Sequence, residues 1–452
     1  MMGVIMRFEH IDTTIQTLGE AKIPSPLLQP ANGECGAYFV DDDERILLHV
    51  NEKQVAQLKA DGIPAPAFES AGPRRKIYFD PSKLRCALVT CGGLCPGLND
   101  IIRSVVLELH HRYGVRHICG IRHGLQGFIP KYGHSTVDLS PETVTNILDS
   151  GGSILGSSRG DQDIEEVVDS LERMHIGILF MVGGDGTLAA ASKIADAIHS
   201  RGLKISVIGI PKTIDNDVYL VARSFGFDTA VDIATQAISG AHNEAEAYPN
   251  GIGLIKLMGR ESGFLAATAA LARQDVNFVL IPEVPFDIDG PNGFLENLEK
   301  RLALRGHAVV VVAEGAGQEF FEGRKKMHDA SGNVKLYDIG LLIKTKIMAH
   351  FKERGIPVSL KYIDPSYIIR SLPANSNDHV FCSFLGRDAV HAGMTGKTKL
   401  VVSHWNNHFV HVPMDQVITQ RKKVDPDGKL WATVLEATGQ NALKNPVGTN
   451  TE

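Results

Sequence analysis

The sequence predicts an α/β protein in which βα units recur around parallel sheets, and three observations carry that expectation. Short apolar runs repeatedly end in glycine-rich turns and pass into helix-like stretches. Between Gly177 and Asp217 a strand, a helix and a strand follow at the spacing of a βαβ unit, whose right-handed crossover makes the two strands parallel. A chain of 452 residues, 43% hydrophobic and 22% charged, is long enough for two or three domains with substantial cores.

Residues 1–84 read as a separate N-terminal segment. Strands are expected in CGAYFV and RILLHV around the acidic turn Asp41-Asp42-Asp43-Glu44, and a proline-rich link leads out. The segment carries no catalytic pattern, so packing or subunit contact is its expected role. The first strand of the main fold is Leu84 to Thr90. It breaks at Cys91-Gly92-Gly93-Leu94-Cys95-Pro96-Gly97 before a helix from Leu98 to about His111. Ile118 to Ile121 is the next strand, and Gly151 to Gly160 is a glycine-rich loop in which Arg159 offers a cation to phosphate.

The central unit organises the chain. Ile178 to Val182 ends in Gly183-Gly184-Asp185-Gly186-Thr187 and a helix; Ile205 to Ile210 ends in Pro211-Lys212-Thr213-Ile214-Asp215-Asn216-Asp217. Both turns then lie at the carboxyl edge of one sheet, where open α/β folds bind ligands. Glycine amides and a helix N-terminus suit phosphate oxygens. Asp185, Asp215 and Asp217 alone would repel phosphate, so a divalent cation, Mg²⁺, is expected between them. Each turn by itself is equally well a tight βα turn or a polar loop. Together, on adjacent strands, they favour phosphoryl transfer.

Further on, a helix opens after Arg223-Ser224-Phe225-Gly226 and reaches the mid-240s. The strand Ile252 to Leu257 ends in Met258-Gly259-Arg260, with a small-residue helix (FLAATAALA) behind it. Val276 to Ile281 and Ala308 to Ala313 are strands, the latter ending at Glu314-Gly315. Lys361 to Arg370 mixes cations and tyrosines in a manner suited to a sugar phosphate. LVVSHW and FVHVPM are strands, and the tail from about Gly439 is expected to be polar and mobile.

The totals exclude some classes. A net charge of −6 argues against nucleic-acid binding. The six cysteines lack metal-ligand spacing beyond Cys91 and Cys95, so reduced core or loop residues are expected. No signal peptide and no uncharged stretch of membrane-spanning length is evident, which reads as a cytoplasmic protein without membrane contact.

GGDGT followed by PKTIDND resembles the phosphofructokinases, which phosphorylate the 1-hydroxyl of fructose 6-phosphate; GGDGT alone also occurs in lipid and NAD kinases. The likeness spans Leu84 to Met414 and is greatest to the long enzymes with an N-terminal extension. It implies two doubly wound, Rossmann-like three-layer lobes facing a cleft, in a catalytic core at 85–414 flanked by extensions at 1–84 and 415–452. It also implies an allosteric glycolytic homo-oligomer, tetramer or dimer, that transfers the γ-phosphoryl group of ATP with Mg²⁺. By the resemblance Asp215 is the base, Thr213, Asp217 and Arg260 assist catalysis, and Asp185 holds the metal. Gly93, Arg159, Gly160, Gly184, Asp185, Gly186, Thr187 and Lys212 would bind the donor. Thr213, Ile214, Asp215, Met258, Gly259, Arg260, Glu314, Lys361, Tyr367, Ile368, Ile369 and Arg370 would bind the sugar phosphate.

Two family markers of the donor disagree. Gly186 leaves room for the α-phosphate of ATP, whereas Lys212 is the residue of pyrophosphate enzymes. Steric exclusion is harder to evade than an added cation, which selects ATP; a diphosphate-dependent enzyme is the alternative, and a non-catalytic regulatory subunit a second. The chain departs from the short bacterial enzymes at Gly251, where they carry an arginine donated across a subunit interface, and at Leu125, which replaces an aromatic nucleotide contact.

Overall fold

The computed structural model describes residues 11–28, 38–323, 327 and 334–446. The strands of its two principal sheets are, in chain order, β1 (Arg45–Leu47), β2 (Ala67–Ser70), β3 (Arg85–Thr90), β4 (His117–Ile121), β5 (Val137–Asp138), β6 (Ile178–Gly183), β7 (Ser206–Pro211), β8 (Gly251–Leu257), β9 (Phe278–Leu280), β10 (His307–Ala313), β11 (Ser359–Ile363), β12 (Leu400–Trp405) and β13 (His408–Pro413). The helices that matter below are α1 (Leu98–Leu107), α2 (Asp185–Ser200), α3 (Phe227–Glu246), α4 (Phe264–Arg273), α5 (Phe294–Arg305), α6 (Ile339–Glu353), α7 (Ser366–Ser371), α8 (Ser376–Met394) and α9 (Lys429–Thr438).

A nine-stranded sheet has the spatial order β1-β2-β13-β12-β7-β6-β3-β4-β5, and a four-stranded sheet has the order β9-β10-β8-β11. In the large sheet β4, β3, β6, β7 and β12 run parallel, with antiparallel strands added at both edges. The small sheet is parallel throughout.

β6 and β7 are buried at every residue, as strands covered on both faces must be. Their period of two divides the core. Leu179, Met181 and Val207 pack with Leu188, Ala191 and Ile194 of α2. Ile178, Phe180, Ile208 and Ile210 face the other way, into a cluster with Leu385 and Ala389 of α8. That second cluster continues through Ala234 and Ile238 of α3 to Ile255 and Leu257 of β8, so the two lobes share a core. Small residues permit the closeness: a Cβ at Gly253 would stand 2.8 Å from the Ala241 carbonyl oxygen.

The structure alters several local expectations. Cys35 to Ala37 lie outside the described residues, and Tyr38 to Val40 form no strand. The N-terminal segment is not apart from the main fold, because β2 pairs with β13 and Phe68 packs edge-on against Trp405 at 6.1 Å. β9 is shorter than expected because Asn277 substitutes its side chain for the ladder, its Oδ1 accepting from the Val309 amide at 2.9 Å. The tail beyond Gly439 is pinned rather than loose as far as it is described. Gln440 Oε1 accepts from the Val279 amide at 2.7 Å, Leu443 is buried, and the Asn445 amide donates to Asp287 Oδ2 at 2.7 Å. The physical reason is the free edge of β9, whose backbone groups need partners.

Candidate active site

Register brings the two acidic turns together. Pro211 of β7 lies opposite Gly183 of β6, so the chains leaving these strands emerge side by side. At Gly183 a Cβ would stand 2.2 Å from Thr187 Oγ1, so glycine is what lets α2 begin so close to the strand end. Asp185 falls in the first turn of α2, beside amides with no intrahelical partner. The next loop is braced from within. The Thr213 hydroxyl donates to Asp217 Oδ1 at 2.9 Å and accepts from the Asp215 amide at 3.1 Å. Asn216 takes a left-handed conformation at φ 53°, and its Oδ1 accepts from the Ser224 amide at 3.1 Å.

The small sheet supplies the facing wall. Leu257 of β8 is in register with Ala313 of β10, which sets Met258-Gly259-Arg260 beside Glu314. Gly315 donates its amide to the Gly259 carbonyl at 3.0 Å, and a Cβ there would meet the Arg260 carbonyl oxygen at 1.9 Å. The Ser262 hydroxyl reaches the Asp215 carbonyl at 3.2 Å and ties the two walls together.

Between the walls is a cleft of about 350 Å³. Gly93, Arg159, Gly160, Gly184, Asp185, Gly186, Thr187, Lys212, Thr213, Ile214, Asp215, Asp217, Met258, Arg260, Glu314 and Arg370 all line it. Tyr367 lines an adjoining hollow with Gly93, Arg159 and Arg370, its ring 4.8 Å from the Arg370 guanidinium carbon. Gly259 stands behind the lining, at the strand end. Three residues expected at the sugar phosphate are not brought to the cleft. Ile369 is buried in the core, and Ile368 is exposed on α7. Lys361 pairs with Gly253 in β11, five residues short of Met258, or about 16 Å along a strand. Its ammonium instead stands 3.9 Å from Glu244 and over the Tyr248 ring.

Electrostatics single out the carboxylates. Burial, with Asp217 and Glu314 nearby, pushes Asp215 up to about 8. Burial and Asp217 push Asp185 up to about 6, against the pull of Arg421. Burial also raises Glu314 and lowers Lys212. Lys212 is not poised over the cleft as an open cation: it is 7% exposed and donates to the Gly93 carbonyl at 2.6 Å. Asp185 Oδ1 and Asp215 Oδ1 are buried without a hydrogen-bond partner. Two such carboxylate oxygens in one cleft, with Asp217 beside them, fit an oxygen-seeking cation such as Mg²⁺.

Arg421 joins the cleft from outside the motifs that mark it in the sequence. Its Nε lies 2.7 Å from Asp185 Oδ2 and its Nη1 2.8 Å from Glu261 Oε1. The run Arg421-Lys422-Lys423 was the available signal, but no local pattern says which wall it reaches. A backbone bridge between Val218 and Arg421 brings it there, aided by Lys422 donating its amide to the Asp217 carbonyl at 2.7 Å. At Gly251 a Cβ would meet the Ala245 carbonyl oxygen at 1.9 Å, so this backbone has no room for a side chain at that position.

Known proteins agree with this architecture. The family model described as phosphofructokinase matches residues 85–393. The ATP-dependent 6-phosphofructokinase of Borreliella burgdorferi is 50% identical over 97% of this chain and 99% of its own length. That of Amycolatopsis methanolica is 48% identical over 95% of each chain. Among solved structures, the pyrophosphate-dependent phosphofructokinase of Marinobacter aquaeolei superposes with a TM-score of 0.64 at 20% identity, covering 81% of this chain and 94% of that one. With the two-lobed fold, the shared cleft and relatives of nearly equal length in agreement, the chain belongs to the phosphofructokinase family.

Proposed function

We propose that this chain is an ATP-dependent 6-phosphofructokinase, transferring the γ-phosphoryl group of ATP to the 1-hydroxyl of fructose 6-phosphate. The observation that carries the reading is the meeting of Asp185, Asp215 and Asp217 with Arg159, Arg260 and Arg370 in one cleft. Asp215 takes the proton of the attacking hydroxyl. Its raised affinity for a proton makes it a stronger base than an exposed carboxylate, which suits that task. Thr213 and Asp217 hold the loop that aims it. Met258, Gly259, Arg260, Glu314, Tyr367 and Arg370 take the sugar phosphate. The glycine turns at Gly93, Gly160 and Gly184–Gly186, with Thr187, Arg159 and Lys212, take the donor. Asp185 would hold Mg²⁺, which supplies charge neutralisation on the donor phosphates when bound. In-line transfer asks the protein mainly for positioning and electrostatic stabilisation, and these groups provide both.

Two observations support ATP over pyrophosphate. A Cβ at Gly186 would meet nothing within 4 Å, so the glycine keeps real space open. Lys212 is engaged with the first glycine loop and is a strut as much as a phosphate ligand. The catalytic core runs over residues 85–414, and the extension at 415–452 completes it with Arg421. The enzyme works as a cytoplasmic homo-oligomer under allosteric control; no described helix is long and apolar enough to cross a membrane. A coupled assay with fructose 6-phosphate and either ATP or pyrophosphate, at equal Mg²⁺, tests the reading. Turnover with pyrophosphate alone, or with neither donor, would refute it.

A further inference from the structure

We propose that His242, Glu246 and His307 form a second metal site, for a borderline divalent transition ion such as Zn²⁺. The site lies at the amino edge of the small sheet, on the side away from the cleft. His242 and Glu246 are one turn apart near the end of α3, which puts them on one helix face. His307 opens β10, and Asp275 lies between α4 and β9.

The distances argue for a shared ion rather than direct hydrogen bonds. His242 Nε2 stands 3.5 Å from Glu246 Oε1, and His307 Nε2 stands 4.0 Å from the same oxygen. A direct bond from an imidazole N–H to a carboxylate oxygen closes to about 2.7–3.2 Å. Tetrahedral ligands about 2.0–2.1 Å from an ion stand about 3.4 Å from one another. One ligand atom from each residue lies within 4.8 Å of the other two. The rings are 5.3 Å apart and inclined at 50°, so they do not stack face to face.

A second carboxylate is in position to orient the first histidine. Asp275 Oδ2 lies 3.7 Å from His242 Nδ1, and it is itself held by Arg273 Nε at 2.9 Å. Ligating imidazoles characteristically present their other nitrogen to a carboxylate in this way. The histidine side chains are 18% and 21% exposed and that of Glu246 is 54% exposed, so an ion can enter and keep water as a fourth ligand. Two imidazoles and one carboxylate favour Zn²⁺, Ni²⁺ or Cu²⁺ over Mg²⁺, which separates this site from the cleft. A second described trio, Glu296, Glu299 and His350, already has the Arg354 guanidinium against both carboxylates. Once bound, the ion would clasp α3 to the start of β10 and stiffen the small lobe without touching the reacting groups.

The test uses the full-length enzyme, stripped by a chelator and titrated calorimetrically with Zn²⁺ in excess Mg²⁺. One Zn²⁺ per chain is expected at this site. Binding there should weaken about a hundredfold or more in His242→Asn or His307→Asn, and about 10- to 100-fold in Asp275→Asn. Zn²⁺ should raise the thermal midpoint of the parent but not of the histidine variants, while His350→Ala behaves as the parent. The two histidines sit on different elements, so either variant carries the test if the other fails to fold. A parent that takes up no Zn²⁺ in excess Mg²⁺, or a folded histidine variant that binds it as tightly as the parent, would overturn the proposal.

Discussion

Gly186→Asp isolates the basis of donor choice. Gly186 is the second residue of α2, and a Cβ there would meet nothing within 4 Å, so the substitution strains no neighbour. Replacing a helical glycine by aspartate recovers only about 0.3 kcal/mol of propensity, and an acidic residue in a first helical turn is favoured by about 0.3–1 kcal/mol. Stability should therefore hold or rise. The new carboxylate enters the cleft beside Asp185. At about 5 Å from a donor phosphate and an effective dielectric of about 20, like charges repel by about 3 kcal/mol. That is about a hundredfold in kcat/KM for ATP. Pyrophosphate lacks the α-phosphate that needs this space, so its use should fall less or rise. The assay is the coupled reaction with each donor over a range of Mg²⁺, with a thermal melt as the folding control. A folded Gly186→Asp enzyme that uses ATP within about threefold of the parent would refute the steric and electrostatic account of Gly186.

Four further outcomes follow from the same cleft. Asp215→Ala should lower kcat about 10²- to 10⁴-fold while nucleotide affinity, read by calorimetry, stays nearly unchanged; near-normal turnover would remove Asp215 from its role. Because Asp215 holds its proton up to about pH 8 in the folded chain, kcat/KM should climb as pH rises towards that value. The same shift makes the folded state bind more protons than the unfolded one between about pH 4 and 8, so this group's stability contribution falls as pH rises through that window. Asp217→Asn removes a like charge and should move the acidic limb of the pH profile lower, and added Mg²⁺ should move it the same way. Arg421→Ala leaves Asp185 Oδ2 without its partner and lets the Asp185 pKa rise further. The donor KM should then rise about tenfold near pH 7, with recovery towards pH 8–9 as Asp185 ionises; an unchanged KM would reduce Arg421 to a structural contact.

Short stretches of this chain set their own chemistry. The glycines at Gly183 and Gly184 and the two buried strands Ile178–Gly183 and Ser206–Pro211 follow from local sterics and burial period. The parallel crossover between those strands then put Asp185 near Asp215. Tertiary structure alone decided what depends on pairing across the chain. Lys361 looked suited to a phosphate, but its place in β11 leaves it well short of the carboxyl edge and draws it to Glu244. The tail after Gly439 looked mobile until the edge of β9 offered its amides. Arg421 reads as one cation in a basic run, yet a bridge to Val218 sets it on Asp185. Period and turn residues act over a few residues, whereas register and edge partners are set by which distant faces pack together, and a single sequence does not record that.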